Sequence, residues 1–504
     1  MKWHRLFALV VVCAGLAACG GGGSPPITTA GGNTAKPVST AAPCVPRVAN
    51  ASSARYPDWS TATHGKSATA NASKVFPTTQ IPRLDLSMAG CDWQSVLTDA
   101  ALVTGQTFPS VRQSVSVGGP FGCTGGSAAG DGEFLNGTPV WVPVNVTFEG
   151  NTWQHVGLRL KGGSSLVRSW NAGLLKLPFR LDFDRFEKEY PAVKDQRFYG
   201  YSKLSFTNNA MDDSFLREKI STDLLREFGV PAALAGWARV YLDVGDGPRY
   251  MGLFAMTEMP SKTLLEREFG NSSGNLYKPQ GAGANWAAVS SNPVAVFQQS
   301  FEKENNASAQ DWSDVRAAVD ALHSPDRLTD PEAWRAGLAT RFNMDGFLQW
   351  MAANAVLGNG DSYGFIAHNY YLYADTASGK LNWIPWDLDL ALTCPNLDPR
   401  YPAPAYTASA WPLLRYVLDD PVFRAQYLQH AANFLASPQF DTALLTARVN
   451  QAVALVTPFV TGAQAEALGS RYSTLDSAAQ FDLGVAQLRS VIAQRGSVVP
   501  AMLN

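Results

Sequence analysis

Surplus charge of either sign is missing from this sequence: 40 Lys and Arg stand against 42 Asp and Glu, a formal net charge of −2 at pH 7. Without spare cations to neutralise a phosphate backbone, nucleic acid is not an expected partner. Cysteine is scarce, six in 504 residues, and no two stand in a C-x-x-C pair of the kind that builds many zinc sites. Beyond the N-terminus no apolar run reaches the roughly 20 residues that a membrane-spanning helix needs. No internal repeat is evident. Charged residues make up 16% of the chain and hydrophobic ones 46%, ordinary proportions for a globular protein with a sizeable core, so one large or two medium domains are expected.

The N-terminus has a strong local signature. Lys2 and Arg5 precede an apolar run from Leu6 to Leu16, too short to span a bilayer unaided, which ends in Leu16-Ala17-Ala18-Cys19. This order reads as a secretory signal peptide whose cysteine becomes the acylated N-terminus, against the alternative of an ordinary signal peptide with a stray cysteine. It resembles the lipobox of bacterial lipoproteins. The resemblance implies loss of residues 1–18, a lipid on Cys19 and, with Gly20 rather than Asp next, a place at the outer membrane, on its periplasmic or surface face. Residues 19–60 are expected to form a disordered tether, because Gly, Ser, Thr, Pro and Ala dominate to about Ala51 and bury too little to fold. In an oxidising compartment Cys44, Cys91, Cys123 and Cys394 allow three disulfide pairings, with a zinc site as the alternative.

The remaining chain changes character near residue 290. Val140–Glu149, Thr152–Lys161 and Leu174–Phe183 alternate or run apolar between Gly and Asn turns, which predicts an antiparallel meander. A strand over Phe76–Leu86, a helix over Phe215–Phe228 and a hairpin of Ala238–Val244 with Tyr250–Thr257 complete a strand-rich lobe, residues 61–290. Helical patterns at Trp312–Leu322, Pro331–Leu357, Ala410–Leu435 and Asp441–Gln464 fill a second lobe, residues 291–504. The expected fold is therefore α+β, with a cleft between lobes.

Chemistry concentrates between Asn359 and Leu392. Strands Tyr370–Tyr373 and Leu381–Ile384, joined by a turn at Asp375–Lys380, bring Asn369 and Asp387 to neighbouring ends. Carboxylates and an amide on one rim are hard-oxygen ligands suited to Mg²⁺ or Mn²⁺. Asp387 is the favoured metal ligand and Asp389 the second. Asp361, on the preceding loop, is placed as a general base for an incoming hydroxyl. Upstream, Lys161-Gly162-Gly163-Ser164-Ser165 reads as a strand followed by a small polar turn able to cover phosphates. Lys176 is a cation amid apolar residues, either a phosphate contact oriented by Glu218 or a solvated edge-strand lysine.

Lys161 to Ser165, Lys176 to Phe183, Asp213 to Arg217, Tyr250 to Phe254 with Glu258, Gly274 to Lys278, Asn369 to Tyr373 and Pro385 to Asp389 together resemble successive motifs of the CotH kinase family, over about residues 76–430. The resemblance implies a divergent protein-kinase-like bilobal fold and transfer of phosphate from ATP to Ser or Thr of coat proteins. It also implies residue roles. Asp361 would be the catalytic acid/base, Asn369 with Asp387 or Asp389 the metal ligands, Lys161 and Lys176 phosphate contacts, and Glu258 a group near the hinge and nucleotide. Lys161 stands where arginine is frequent, and Gly163 where asparagine is frequent. Two other functions remain open on the same residues: a non-catalytic lipid-anchored adhesin or scaffold, and a metal-dependent hydrolase.

Overall fold

A computed structural model describes residues 52–115, 123, 135–289, 293–402 and 406–503, all within one structural unit, Val38–Asn504. Cys19 and Cys44 lie outside the described residues. Seven strands form a closed barrel: β1 Arg83–Ser87, β2 Val142–Phe148, β3 Asn151–Leu160, β4 Phe179–Asp182, β5 Lys203–Thr207, β6 Ala235–Asp243 and β7 Arg249–Glu258. Their order around the barrel is β1-β2-β3-β4-β5-β7-β6. The expected meander is present, yet it closes on itself because β1 pairs parallel with β6, Leu84 beside Val240. Closure removes the open edges that a flat meander would leave. On β2 every second residue is buried, so Val144 and Val146 point inward with Leu158, Leu181, Leu204, Phe206 and Phe254. Each such side chain contributes about 1.5–3 kcal/mol by leaving water.

The strand expected over Leu174–Phe183 starts only at Phe179. The N–H groups of Leu175 and Lys176 instead donate to the carbonyl of Arg471, and Pro178 has no N–H to offer a ladder. Residues 461–477 thus run as a strap from the helical half back onto the barrel. Arg471 reinforces it, donating to the carbonyls of Gly173, Pro109 and Ser110.

A second sheet, order β11-β10-β8-β9, consists of β8 Leu276–Pro279, β9 Phe301–Lys303, β10 Tyr370–Asp375 and β11 Lys380–Pro385. It draws strands from both sides of residue 290, across the expected lobe boundary. Helices pack behind it around one large apolar core in which Tyr370 and Trp383 stack at 3.8 Å. Two of the expected long helices are each broken in two by caps. Asn343 caps Met344–Val356 after Pro331–Ala339, and Asp420 caps Pro421–Ala436 after Pro412–Asp419, with Pro421 at the first helical position. The 26-residue helix Ala478–Leu503 was not legible in the pattern.

Helix Thr442–Val460 is long and apolar enough to cross a membrane by length and composition, contrary to the reading of the sequence. Its Leu445, Val449, Ala452, Val456 and Val460 belong to the core. Residues 52–60, assigned to the tether, are pinned to the barrel region: Arg55 donates to the carbonyls of Ala192 and Lys194, and Asp58 accepts the N–H of Thr152.

Candidate functional site

The β10–β11 hairpin has the expected register, Tyr370 opposite Pro385, and its open end carries the acidic residues. There the N–H of Trp386 donates to the carbonyl of Asn369 at 3.1 Å. Asn369 and Asp387 both adopt left-handed backbone conformations, φ +60° and +59°. Such conformations are unfavourable for residues other than glycine and concentrate at functional sites.

Asp361 sits on a loop held by amides: Asn359 accepts its N–H, Asn359 donates to Asn354, and Asn354 donates to Ser362. Both carboxylate oxygens of Asp361 are engaged. Oδ1 lies 3.0 Å from Nε2 of His368, and Oδ2 accepts from Nδ2 of Asn369 at 3.0 Å. His368 stands next to Asn369 in sequence, and that adjacency is the signal for it that the sequence offers.

Asp389 is 5% exposed, and its carboxylate has no hydrogen-bond or ion-pair partner among the described residues. Burial first, then the charges of Asp387, Glu218 and Asp361, push its carboxyl well above the usual range, with Lys161 opposing. Glu218 is likewise buried. Burial and then Asp387 raise it to about 7, against the pull of Lys161. Its Oε2 accepts the N–H of Leu388 at 2.6 Å, which ties the Arg217–Glu227 helix to the turn between the two aspartates. Lys161, at the end of β3, donates to Oγ1 of Thr207 at 2.7 Å. One constellation therefore gathers Lys161, Glu218, Asp361, Asn369, Asp387 and Asp389. Lys278 borders it: burial lowers its pKa, and it also feels Glu304, Arg180 and Asp387.

Two expected site residues are occupied elsewhere. Lys176 is fully buried and pairs with Glu466 of the strap at 2.5 Å, so it is neither a solvated edge lysine nor a partner of Glu218. Lys161 is the lysine whose charge Glu218 feels. Glu258 ends β7 with its Oε2 committed to Arg267 at 2.7 Å and the N–H of Leu234, while Oε1 is buried without a hydrogen-bond partner among the described residues. Ser164 and Ser165 open a helix, Ser164–Asn171, where a small polar turn was expected; Gly162 makes the corner at φ +79°. Asp375 is a turn-maker that accepts from Asn271, Ala377 and Ser378. Among the described residues, Asp184, Glu187 and Asp195 bring their oxygens within 4.8 Å of one another, but they lie after β4, and Arg197 and Lys66 pair with two of them.

Cys123 is disulfide-bonded to Cys394, just past the aspartate turn, and Cys91 is disulfide-bonded as well.

A closed barrel facing a hairpin of hard-oxygen ligands defines a mixed α/β protein with an acidic polar site. The family model described as CotH kinase protein matches residues 158–499, and the chain belongs to that family. A curated relative, inner spore coat protein H of Bacillus subtilis (strain 168), is 24% identical over 215 residues, 41% of this chain and 55% of the relative. The chain thus matches little more than half of that relative's length. Among solved structures, a complex of HipA, HipB and operator DNA from Shewanella oneidensis MR-1 aligns at 12% identity and a TM-score of 0.29, over 60% of this chain and 59% of the other.

Proposed function

We propose that this protein is a metal-dependent, kinase-like phosphotransferase that moves phosphate from ATP to Ser or Thr of extracytoplasmic or coat proteins, held at the cell envelope by lipid on Cys19. The observation that carries the reading is Asp389, a buried carboxylate without a hydrogen-bond or ion-pair partner among the described residues, beside a second aspartate and opposite a lysine. Burying a lone carboxylate is costly unless a cation or proton answers it, so the residues fit a hard divalent ion. Asp387 and Asp389 would hold that ion. Asn369 would join through Oδ1, since its amide nitrogen is spent on Asp361.

A bound Mg²⁺ or Mn²⁺ would neutralise charge on the donor's phosphates. Lys161 would meet a phosphate oxygen, with Ser164, Ser165 and the exposed N–H groups of the following helix start covering the others. Glu218 positions the aspartate turn through its bond to Leu388. Asp361 would accept the acceptor hydroxyl's proton. Each of its oxygens keeps a lone pair free after bonding His368 or Asn369, so orientation and basicity coexist.

The test is phosphate transfer from labelled ATP to the chain itself or to casein, with Mg²⁺ or Mn²⁺. Asp361→Ala is expected to lower the rate by about 10²–10⁴-fold, Asp387→Ala to abolish transfer, and Asp375→Ala to leave it intact. Absence of both transfer and any thermal stabilisation by MgATP would refute the proposal and leave a non-catalytic scaffold. Release of free phosphate without a labelled acceptor would indicate a hydrolase.

A further inference from the structure

Trp141, just ahead of β2, is surrounded by arginines. The guanidinium carbons of Arg159, Arg185 and Arg180 lie 4.9, 5.1 and 5.2 Å from its ring centroid. Arg159 and Arg180 are cross-strand partners on β3 and β4. Room for Arg185 comes from Gly157, where a Cβ would stand 2.6 Å from Cβ of Arg185 and 3.0 Å from the Trp141 ring. None of the three guanidinium groups forms an ion pair or hydrogen bond among the described residues, and the Nε atoms of Arg159 and Arg180 are buried without an acceptor. Of the nearby carboxylates, Asp182 pairs with Lys203 at 3.8 Å and also feels the charge of Arg180, and Asp184 pairs with Arg197.

The cluster connects to the acidic site along one row of the barrel's outer face. Arg159 pairs with Arg180, Arg180 with Ser205, and Ser205 with Thr257, whose hydroxyl lies 3.5 Å from Glu218. Three strand spacings separate the ends of this row, about 14 Å. With guanidinium groups already packed around it, the tryptophan ring serves as a platform for cations and is not a free face for stacking a nucleotide base. A surface of guanidinium groups without an ion pair among the described residues, in a chain of near-zero net charge, is complementary to carboxylates.

We propose that Arg159, Arg180 and Arg185 on Trp141 form a docking surface for an acidic stretch of the protein acceptor, displaced along the chain from the hydroxyl to be phosphorylated. The inference rests on the kinase reading only for the word acceptor; the binding itself is independent of it. The test is fluorescence anisotropy of a fluorescein-labelled octaglutamate peptide on the full chain without nucleotide, at low and moderate salt. Binding is expected to weaken with salt. Arg185→Glu is expected to weaken it about tenfold, the equivalent of one charge-assisted hydrogen bond. Arg159→Gln is expected to act in the same direction without reversing charge. Arg424→Glu, an exposed arginine on a distant helix, makes the same charge change as Arg185→Glu and is expected to leave binding unaltered.

Equal weakening by Arg185→Glu and Arg424→Glu would overturn the proposal. So would a loss of MgATP stabilisation in Arg185→Glu with peptide binding intact, which would give the arginines to the nucleotide. Failure of the wild type to bind MgATP would instead sink the kinase reading while leaving the peptide measurement valid.

Discussion

Lys176→Met separates a structural lysine from a phosphate-binding one. Lys176 is 0% exposed, as is its partner Glu466, and their contact is 2.5 Å. The ammonium also lies 4.6 Å from the Phe215 ring centroid and 5.5 Å from that of Phe254. Burial lowers the lysine's pKa and raises that of the glutamate, and each partner's charge opposes the shift of the other. Methionine nearly fills the lysine's volume, so little cavity term arises. What remains is an unpaired buried Glu466, still accepting the N–H of Leu253 at 2.7 Å. Removing one member of a buried pair costs about 3–5 kcal/mol. Adding Glu466→Gln, which keeps an acceptor for Leu253 but removes the stranded charge, is expected to recover stability to within about 1–2 kcal/mol of wild type. Urea unfolding of the full chain reads the stability, and thermal stabilisation by MgATP reads the site. Both variants should retain the MgATP response. A Lys176→Met chain that unfolds at the wild-type urea concentration but no longer responds to MgATP would refute the reasoning and return Lys176 to the phosphates.

Three further outcomes follow from the same physical terms. Glu218 titrates near 7 in the folded chain, against 4.5 as its ordinary value, so between those pH values the folded state holds more protons than the unfolded one. Without divalent metal, stability should therefore fall as pH rises from about 4.5 to about 7, and Glu218→Gln should flatten that slope; a slope of opposite sign in EDTA would contradict it. Conversely, Mn²⁺ should bind more tightly as pH rises through 7. Cys394→Ser opens a disulfide spanning 271 residues and is expected to lower stability by about 2–4 kcal/mol. Reductant should reproduce the loss in the wild type and add less in the variant, as unfolding with and without dithiothreitol would show.

Local patterns carried much of the architecture. The alternation along Val142–Phe148 and the turn residues between Tyr370–Asp375 and Lys380–Pro385 were readable because both signals are short-range, and the hairpin alone placed Asn369 beside the aspartates. Long-range pairing was not readable. Parallel closure of β1 on β6 joins segments about 150 residues apart, and the partner of Lys176 follows it by 290 residues. No window of sequence distinguishes a lysine beneath a phosphate from a lysine under a distant glutamate, since both look like a cation in an apolar run. The Gly162-Gly163 corner was ambiguous for a related reason: two glycines allow a hairpin or a strand-to-helix turn, and the amphipathic run after Ser164 decided it. His368 was overlooked because histidine beside a strand has many uses, and only its distance to Asp361 selects one.

The strap has a consequence for the order in which the molecule can be made. Barrel strands are complete by Glu258, but Lys176 stays unanswered until Glu466 has been synthesised and threaded back beside Gly252, where any side chain would collide with both. Chains assemble from the N-terminus, so an unfinished or C-terminally clipped product carries a stranded interior cation and an unlatched barrel. Stability is thereby tied to a segment made 290 residues after its partner: a chain that stops short of Glu466 has nothing to answer the ammonium of Lys176.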